Sequence, residues 1–513
     1  MIDAAFRDPK APSRRFAGHP WLLLIVAGAV PACGADGGLL GGGGGAGSEV
    51  WVVRSGGFAS EDTLTAIDSQ SGEAVRSVPV EGAGEGLAVT EGWIWAVYPG
   101  ADAVLAIDPE SGDTERIQLP EGSRPSHLTF GEGAVWVGCN GDGNVVRIDP
   151  SSRQVVASIR ITDDESIDQP LRVATGEGAV WVVDFFGNRD LHRIDPATNE
   201  VTGTVDEIGD GAVAAVVGGG SVWVTSVHDG LLTRVDPGTL EITARVGVGA
   251  MPLGVAYGAG AVWVASRSHG TVARVDPSTN RLTGLVRVGE EPLWVAVAGG
   301  SVWVTDQRAS AVARIDPSTS EVVATLPLTS RPHMIAFDPT ASRPAEPAAL
   351  PGTPAHGLPP LARELGYADD ACALLTEDEV GAAAGEPVRA QGLITGWDAS
   401  SCSYSTASGG RPVLGLEVSW RDGREELGSA QVGTAIAGRL MEGIGGAEID
   451  VDEILRPGPV PGLGDAALYH DIMPSMVLAG DTLLHFTMFH LPDAERHFVP
   501  LARSALARLG RAN

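Results

Sequence analysis

Residues 271–304 read TVARVDPSTNRLTGLVRVGEEPLWVAVAGGSVWV, and this stretch is one complete unit of an internal repeat. Apolar and polar residues alternate in each of its four pieces, which is the pattern of short strands with one buried face. The unit ends in Val-Trp-Val, and a tryptophan in an apolar strand recurs every 40 to 45 residues along the chain. The seven repeated tryptophans are Trp51, Trp95, Trp136, Trp181, Trp223, Trp263 and Trp303.

An aspartate marks the same turn in every unit, and in six of the seven it is followed by proline. Aspartate accepts a backbone N–H two residues later and proline presets φ at the next position, so Asp-Pro begins a type I turn. Because the aspartate occurs in every unit, we interpret it as part of the scaffold and not as a metal ligand. The repeated aspartates are Asp68, Asp108, Asp149, Asp195, Asp236, Asp276 and Asp316.

Four short strands in 40 to 45 residues form one blade of a β-propeller. We therefore predict a mainly β protein with a seven-bladed β-propeller over residues 49–338. Trp51 has no strand of the Pro-x-x-Val-Ala type before it, and a spare strand of this type, Pro332–Phe337, comes last. We predict that this strand becomes the innermost strand of the first blade, beside Val50–Arg54, which removes an open sheet edge.

The bulk composition agrees with a folded, multidomain chain of short strands and tight turns. The chain has 513 residues, 43% of them hydrophobic, with 69 glycines and 34 prolines. This length exceeds what one hydrophobic core usually organises. The formal net charge of −30, with no basic stripe, disfavours nucleic-acid binding.

The N-terminus reads as a targeting segment. Arg14 and Arg15 precede a stretch of about ten apolar residues, Trp21–Val30, which is too short to span a bilayer as a mature helix. Ala32-Cys33 then follows, and this ending resembles the bacterial lipobox, in which the cysteine is diacylated and becomes the mature N-terminus. We predict a lipoprotein signal peptide at residues 1–33, lipidation at Cys33 and a glycine-rich tether at 34–48; the alternative is a plain secretory signal with a chance cysteine.

The repeat resembles that of a known family. The pattern Pro-x-x-Val-Ala-x-Gly-x-Gly-x-Val-Trp-Val, followed by Arg-Ile-Asp-Pro-x-Thr, resembles the YVTN/YncE-like propeller repeat of bacterial envelope proteins. It is also similar to the virginiamycin B lyase superfamily. The resemblance covers residues 49–338 and implies the fold, whereas propellers host both enzymes and binding platforms.

Candidate ligand residues lie where the mouth of the ring departs from the repeat. At the position two residues after the proline of each innermost strand, most blades carry a small or apolar residue. Three blades carry His127, Arg172 and Trp294 there, and His333 lies one residue before the last such position. Three residues beyond four of the tryptophans lie further polar candidates, namely Arg54, Tyr98, Asp184 and Asp306. We predict a mixed pocket for a polar small molecule, a glycan or a peptide end; the alternative is a solvated rim that binds nothing.

A propeller enzyme is the competing hypothesis. The lyase resemblance would imply Mg²⁺ near the axis held by histidine and glutamate, and His127 and His333 could supply imidazoles. However, the family's Trp-Phe-Thr-Glu strand endings are replaced here by Trp181-Val-Val-Asp184 and Trp303-Val-Thr-Asp306. We find no other catalytic, metal or cofactor motif. We therefore favour a non-catalytic binding protein without a cofactor, with a divalent-metal lyase or lactonase as the alternative.

The tail forms a second unit. Residues 339–360 hold seven prolines and are predicted to be a linker, and 361–513 a small α+β domain. Thr376 and Glu379 have capping-box spacing, and a closing helix near 497–509 is predicted to carry Pro500 in its first turn. Cys372 and Cys402 could pair. The segment resembles an uncharacterised actinobacterial envelope-lipoprotein domain with two matching cysteines, which supports this disulfide.

These features together predict a lipid-anchored, extracytoplasmic protein in the periplasm or on the cell surface. Its expected partners are the membrane, through the anchor, and an unidentified small molecule, glycan or protein at the propeller mouth. We expect no nucleic-acid partner.

Overall fold

Seven four-stranded antiparallel sheets form the larger part of the described chain, one for each unit of the repeat. The protein is seen here in a computed structural model. The structure describes residues 49–55, 62–80, 86–90, 92–161, 171–184, 190–337, 361–362, 371–396, 399–407, 412–419, 458–459, 466–469, 475–479, 482–488 and 494–509. The predicted signal peptide and tether, with Cys33, and the linker at 339–360 lie outside these ranges.

Each sheet is a blade, and its strands run from the innermost to the outermost position. Blade 1 contains Arg331–Phe337, Glu49–Ser55, Asp62–Asp68 and Ala74–Val80. Blade 2 contains Leu87–Thr90, Trp93–Tyr98, Ala103–Ile107 and Thr114–Gln118. Blade 3 contains Pro125–Gly131, Ala134–Cys139, Asn144–Asp149 and Gln154–Arg160. The strands of blades 4 and 5 are Leu171–Gly176, Ala179–Asp184, Leu191–Asp195 and Glu200–Val205; and Ala212–Gly218, Ser221–Ser226, Leu231–Val235 and Ile242–Gly247. The strands of blades 6 and 7 are Pro252–Gly258, Ala261–Ser266, Thr271–Asp276 and Arg281–Arg287; and Pro292–Ala298, Ser301–Asp306, Ala311–Asp316 and Glu321–Pro327.

The ring is closed by the last strand of the repeat region, as the strand count predicts. Arg331–Phe337 pairs antiparallel with Glu49–Ser55, with Trp51 opposite Ala336 and Val52 opposite Ile335. The innermost strand of every blade lies against that of the next blade, including blade 7 against blade 1 and blade 1 against blade 2. The seven innermost strands therefore surround one central channel.

The repeated tryptophans are the core of the blades. All seven are 0–1% exposed. In five blades the indole Nε1–H donates to the carbonyl oxygen of the last residue of the innermost strand at 3.0–3.2 Å, which satisfies the polar edge of a buried ring. Truncation of such a side chain typically costs about 3–5 kcal/mol of folding free energy.

Arginines of blades 3, 5 and 7 join each of these blades to the next one. The guanidinium of Arg314 lies 5.4 Å from the ring centroid of Trp303, and its Nη1 donates to the carbonyl oxygen of Gln70 in blade 1 at 2.7 Å. Arg147 and Arg234 stack on the tryptophans of their own blades in the same way and donate to the carbonyl oxygens of Pro196 and Pro277 in the next blade. We call this arrangement the arginine latch.

The repeated aspartates hold turns. Asp149, for example, accepts the backbone N–H groups of Ser151 at 3.1 Å and Ser152 at 2.7 Å. These hydrogen bonds lower the pKa of the Asp149 carboxyl, since they favour its charged form. The scaffold interpretation of the repeated aspartates is therefore confirmed at this turn.

The described residues of the C-terminal part form a seven-stranded antiparallel sheet and two α-helices. In spatial order the strands are Val388–Gly396, Ala399–Thr406, Pro412–Ser419, Thr482–Met488, Ser475–Ala479, Ala466–Tyr469 and Gly458–Pro459. The helices are Glu377–Ala384 and Ala494–Arg508. A short 3-10 turn occurs in this part at Ala371–Leu374, and two others occur in the propeller at Pro99–Ala101 and Arg267–His269. Phe498, Leu501 and Ala505 pack on the sheet, in a core that also contains Tyr404 and Phe486.

Several local predictions for this part are confirmed and one is wrong. Cys372 and Cys402 form a disulfide with Cα atoms 5.0 Å apart. Thr376 and Glu379 form the capping box at the start of the first helix. Pro500, however, lies inside the last helix and not in its first turn, because this helix begins at Ala494.

A search of the described residues finds no helix that is both long enough and apolar enough to cross a membrane.

Candidate functional site

Three large side chains meet in the central channel. Trp294 comes from blade 7, whereas His127 and Arg172 come from blades 3 and 4. The ring centroids of His127 and Trp294 lie 6.4 Å apart, and the guanidinium carbon of Arg172 lies 5.3 Å from the Trp294 ring centroid. Since blades 4 and 7 are three blades apart around the ring, this contact is made across the channel. We call these three residues the axial cluster.

The other blades leave room for the axial cluster. At the equivalent position of the innermost strand they carry small or unbranched residues, namely Met334, Gly86, Ala214 and Gly254. Gly254 is required by a close approach, since a Cβ on it would lie 2.6 Å from the Trp294 Cα. At this position, a large polar or aromatic side chain therefore occurs in three of the seven blades.

β-Bulges set the direction of two of these side chains. The pairing register shifts between Pro125 and His127 in blade 3, and between Pro292 and Val295 in blade 7. A bulge re-aims a side chain because two residues oppose one on the partner strand. Arg172 instead belongs to a strand whose pairing with Ala179–Asp184 is regular throughout.

Thr305 fixes the backbone of Trp294, and sequence reasoning missed it. The Trp294 N–H donates to the Thr305 Oγ1 at 3.1 Å, and this hydroxyl donates to the carbonyl oxygen of His333 at 3.1 Å. The signal was present in the sequence, because this position, two residues after the repeated tryptophan, is valine, alanine or glycine in five of the seven blades.

His127 is held in one neutral form. The Val173 backbone N–H donates to the His127 Nδ1 at 3.3 Å, so the neutral ring carries its proton on Nε2. Burial is the main cause that lowers the pKa of His127 to about 3, and the positive charge of Arg172 is the second cause. At neutral pH the ring is therefore an uncharged N–H donor.

Arg172 supplies the positive charge of the axial cluster. Its side chain is buried, with 5% of the residue exposed, and its planar guanidinium lies over the Trp294 ring. Stacking on an aromatic face suits arginine, since its delocalised charge is weakly hydrated. The stack keeps a cation with fixed N–H directions at the channel wall.

The remaining predicted ligand residues make other contacts. The His333 ring lies near Gln307, with Nε2 to Nε2 at 3.5 Å. Arg54 donates from Nη1 to the Thr329 Oγ1. Tyr98 stacks under Arg116 of its own blade at 5.5 Å. The ring contacts described above join three of the eight predicted ligand residues, His127, Arg172 and Trp294.

Asp306 and Asp184, two further predicted ligand residues, are buried. Asp306 is 2% exposed, and its carboxylate accepts four backbone N–H groups, from Glu290, Glu291, Arg308 and Ala309, at 2.8–3.2 Å. Its oxygens therefore hold two loops together. Asp184 is buried at 3% exposure at the end of its strand.

Within the described part of the chain, no three histidine, cysteine, aspartate or glutamate side chains gather as a metal site would require. Cys139, the free cysteine of these residues, is fully buried, and burial raises the pKa of its thiol. It is a core side chain.

The depressed pKa of His127 predicts a specific pH dependence. Between pH 6.5 and about 3 the unfolded chain binds a proton on this histidine and the native protein does not, so the free energy of unfolding falls as the pH falls. Between pH 7.5 and pH 5, we expect the free energy of unfolding to fall by about 2 kcal/mol less in His127→Gln than in the parent protein. Urea unfolding of both proteins at pH 7.5 and pH 5 measures the difference, and equal losses in both would contradict the assignment.

Comparisons with known proteins give structural likeness only. A scan against protein-family models and a search of curated proteins each find no match. Among solved structures, virginiamycin B lyase from Staphylococcus aureus is 18% identical, with 49% of this chain and 86% of that chain covered and a TM-score of 0.43. A streptogramin B lyase is 16% identical, with 51% of this chain and 89% of that chain covered and a TM-score of 0.46. AztD from Citrobacter koseri, in its apo form, is 14% identical, with 56% of this chain and 96% of that chain covered and a TM-score of 0.44. At these identities and scores no activity is carried over to this chain.

Proposed function

We propose that this protein is a lipid-anchored, extracytoplasmic binding protein whose ligand enters the central channel of the propeller and contacts the axial cluster. The observation that carries the proposal is the meeting of His127, Arg172 and Trp294 across the channel. These are large, polar or aromatic groups at a position where the other four blades use small or unbranched ones.

The scaffold does not account for these three side chains. Blades with Gly86, Ala214 or Gly254 at the same position build the same four-stranded sheet. The ring is held instead by the buried tryptophans, the arginine latch and the closing strand. A concave site with a few convergent polar groups and an aromatic wall is the usual form of a small-molecule site.

The chemistry of the axial cluster favours binding over catalysis. His127 stays neutral at physiological pH, and the carboxylate of Asp306 is taken up by backbone donors. A general base needs a pKa near the working pH and access to the proton that it removes. The axial cluster offers instead a fixed donor, a fixed cation and an aromatic surface.

Removing Trp294 tests the proposed site. We expect some members of a panel of small carboxylic acids, free sugars and short peptides to bind the purified protein, and Trp294→Ala to weaken them at least about tenfold because the aromatic anchor is lost. Isothermal titration calorimetry measures the affinities. The control is Trp93→Ala, which removes a tryptophan that stacks on Arg153 outside the channel.

Two results would contradict the proposal. Equal weakening in both tryptophan variants would place the binding outside the channel. Recovery of a panel member in chemically changed form would favour the competing enzyme hypothesis.

The anchor is tested separately. Cys33→Ser removes the acceptor of the lipid, so we expect the protein to move from the membrane fraction to the soluble extracytoplasmic fraction, whereas the control Ser48→Ala should stay with the membrane. Immunoblots of fractionated cells measure the distribution. Retention of Cys33→Ser in the membrane fraction would contradict lipidation at this residue.

A further inference from the structure

One threonine hydroxyl joins Trp294 to the strand that closes the ring. The Trp294 backbone N–H donates to the Thr305 Oγ1 at 3.1 Å, and the Thr305 hydroxyl donates to the carbonyl oxygen of His333 at 3.1 Å. Thr305 is fully buried on the second strand of blade 7, whereas His333 belongs to the closing strand, Arg331–Phe337. A single side chain therefore holds both a residue of the axial cluster and the closing strand.

Both ends of this link lie in β-bulges. In blade 7 the pairing register shifts where Leu293 and Trp294 together oppose Thr305. In the closing strand it shifts at His333 and Met334. A bulge interrupts the ladder of backbone hydrogen bonds, and a side chain can then satisfy the groups that lose a strand partner. The Thr305 hydroxyl serves one backbone group in each bulge.

A bulge of this kind forms without the hydroxyl. Blade 6 has a register shift at the same place as blade 7, yet it carries Ala265 at the position of Thr305. At the position of Trp294, blade 6 has Gly254, which has no side chain to hold. The hydroxyl is therefore matched to Trp294 and not to the bulge itself.

The Trp294 ring also packs beside the closing strand. It lies against two hydrophobic clusters, of which one contains Met334 and the other Ile335. Its contacts with His127 and Arg172 are made across the channel. A displacement of the closing strand would therefore change the place from which Trp294 reaches across the channel.

We propose that the Thr305 hydroxyl couples the candidate site to ring closure, so that the seating of the closing strand sets where Trp294 lies in the channel. By thermodynamic linkage the coupling acts in both directions, and a molecule that holds Trp294 in place also stabilises the closing strand. This inference goes beyond the proposed function, because it concerns the protein without a ligand.

Hydrogen exchange compares Thr305 with its counterpart in blade 5. Thr225 lies at the same position of the repeat, and its hydroxyl donates to the carbonyl oxygen of Leu253 in blade 6 at 2.8 Å. We expect Thr305→Val to speed exchange of the backbone amides of residues 331–337 about tenfold, because a hydrogen bond to this strand is lost. Thr225→Val loses a similar bond elsewhere and should leave this exchange unchanged, and Thr305→Ser, which keeps the hydroxyl, should exchange as the parent does.

Mass spectrometry of peptic fragments measures the exchange. Equal acceleration in both valine variants would indicate a general loss of stability, and no acceleration in Thr305→Val would show that the hydroxyl does not hold the closing strand. Either result would overturn the coupling.

Transmission to Trp294 is read from a fluorine signal. In protein labelled with 5-fluorotryptophan, the ¹⁹F signal that disappears in Trp294→Phe belongs to Trp294. Val50 pairs with Phe337 at the far end of the closing strand, so Val50→Ala loosens this strand and leaves Thr305 and Trp294 in place. We expect Val50→Ala to shift or broaden the Trp294 signal when Thr305 is present and to leave it unchanged in the Thr305→Val background.

The same four proteins give the contradicting results. A Trp294 signal that moves equally in both backgrounds would show that packing alone carries the change, and a signal that moves in neither would show that no coupling exists. If the double variant does not fold, the exchange experiment decides, since it needs single variants only. Neither experiment uses a ligand, so their failure leaves the proposed function standing, and a panel that does not bind leaves the coupling standing.

Discussion

The antiparallel pairing of the last repeat strand with the first fixes the position of every other feature of the propeller. Arg331–Phe337 joins residues that are nearly 300 positions away in sequence, and it completes blade 1 from the inside. Arg314 spans the same seam by donating to the Gln70 carbonyl oxygen. Without this closure the innermost strands would not surround one axis, and side chains from blades 3, 4 and 7 would not meet.

The repeat and its exceptions have separate roles. Residues of the repeat satisfy polar groups: in five blades the tryptophan N–H pairs with a strand-end carbonyl, in three blades an arginine reaches the next blade, and aspartates accept N–H groups in turns. The exceptions lie at the channel, where His127, Arg172 and Trp294 replace small residues. Asp306 shows that departure from the repeat is not sufficient, since its carboxylate binds four backbone N–H groups.

Much of the fold could be predicted because its signals are local and repeated. The strand period, the tryptophan spacing and the count of innermost strands predict seven blades and the closing strand, and both are observed. The capping box at Thr376 is likewise a local signal. Pro500 was misplaced because the sequence does not mark where the last helix begins.

The candidate site was predictable only in part. Its residues could be selected as breaks in the repeat, but their mutual contacts depend on β-bulges at His127 and before Val295 that shift the side chains relative to a regular strand. The carboxylate of Asp306 is held by one loop that precedes it in sequence and one that follows it. These are tertiary effects, and strand alternation does not encode them.

We propose that the repeat builds the ring and that its exceptions in the channel bind the ligand. The most direct test is the triple variant His127→Ala, Arg172→Ala, Trp294→Ala, with calorimetry used for both thermal unfolding and ligand binding. We expect the triple variant to unfold as cooperatively as the parent protein and to lose ligand binding. Loss of cooperative unfolding, or retained binding by a folded triple variant, would contradict this proposal.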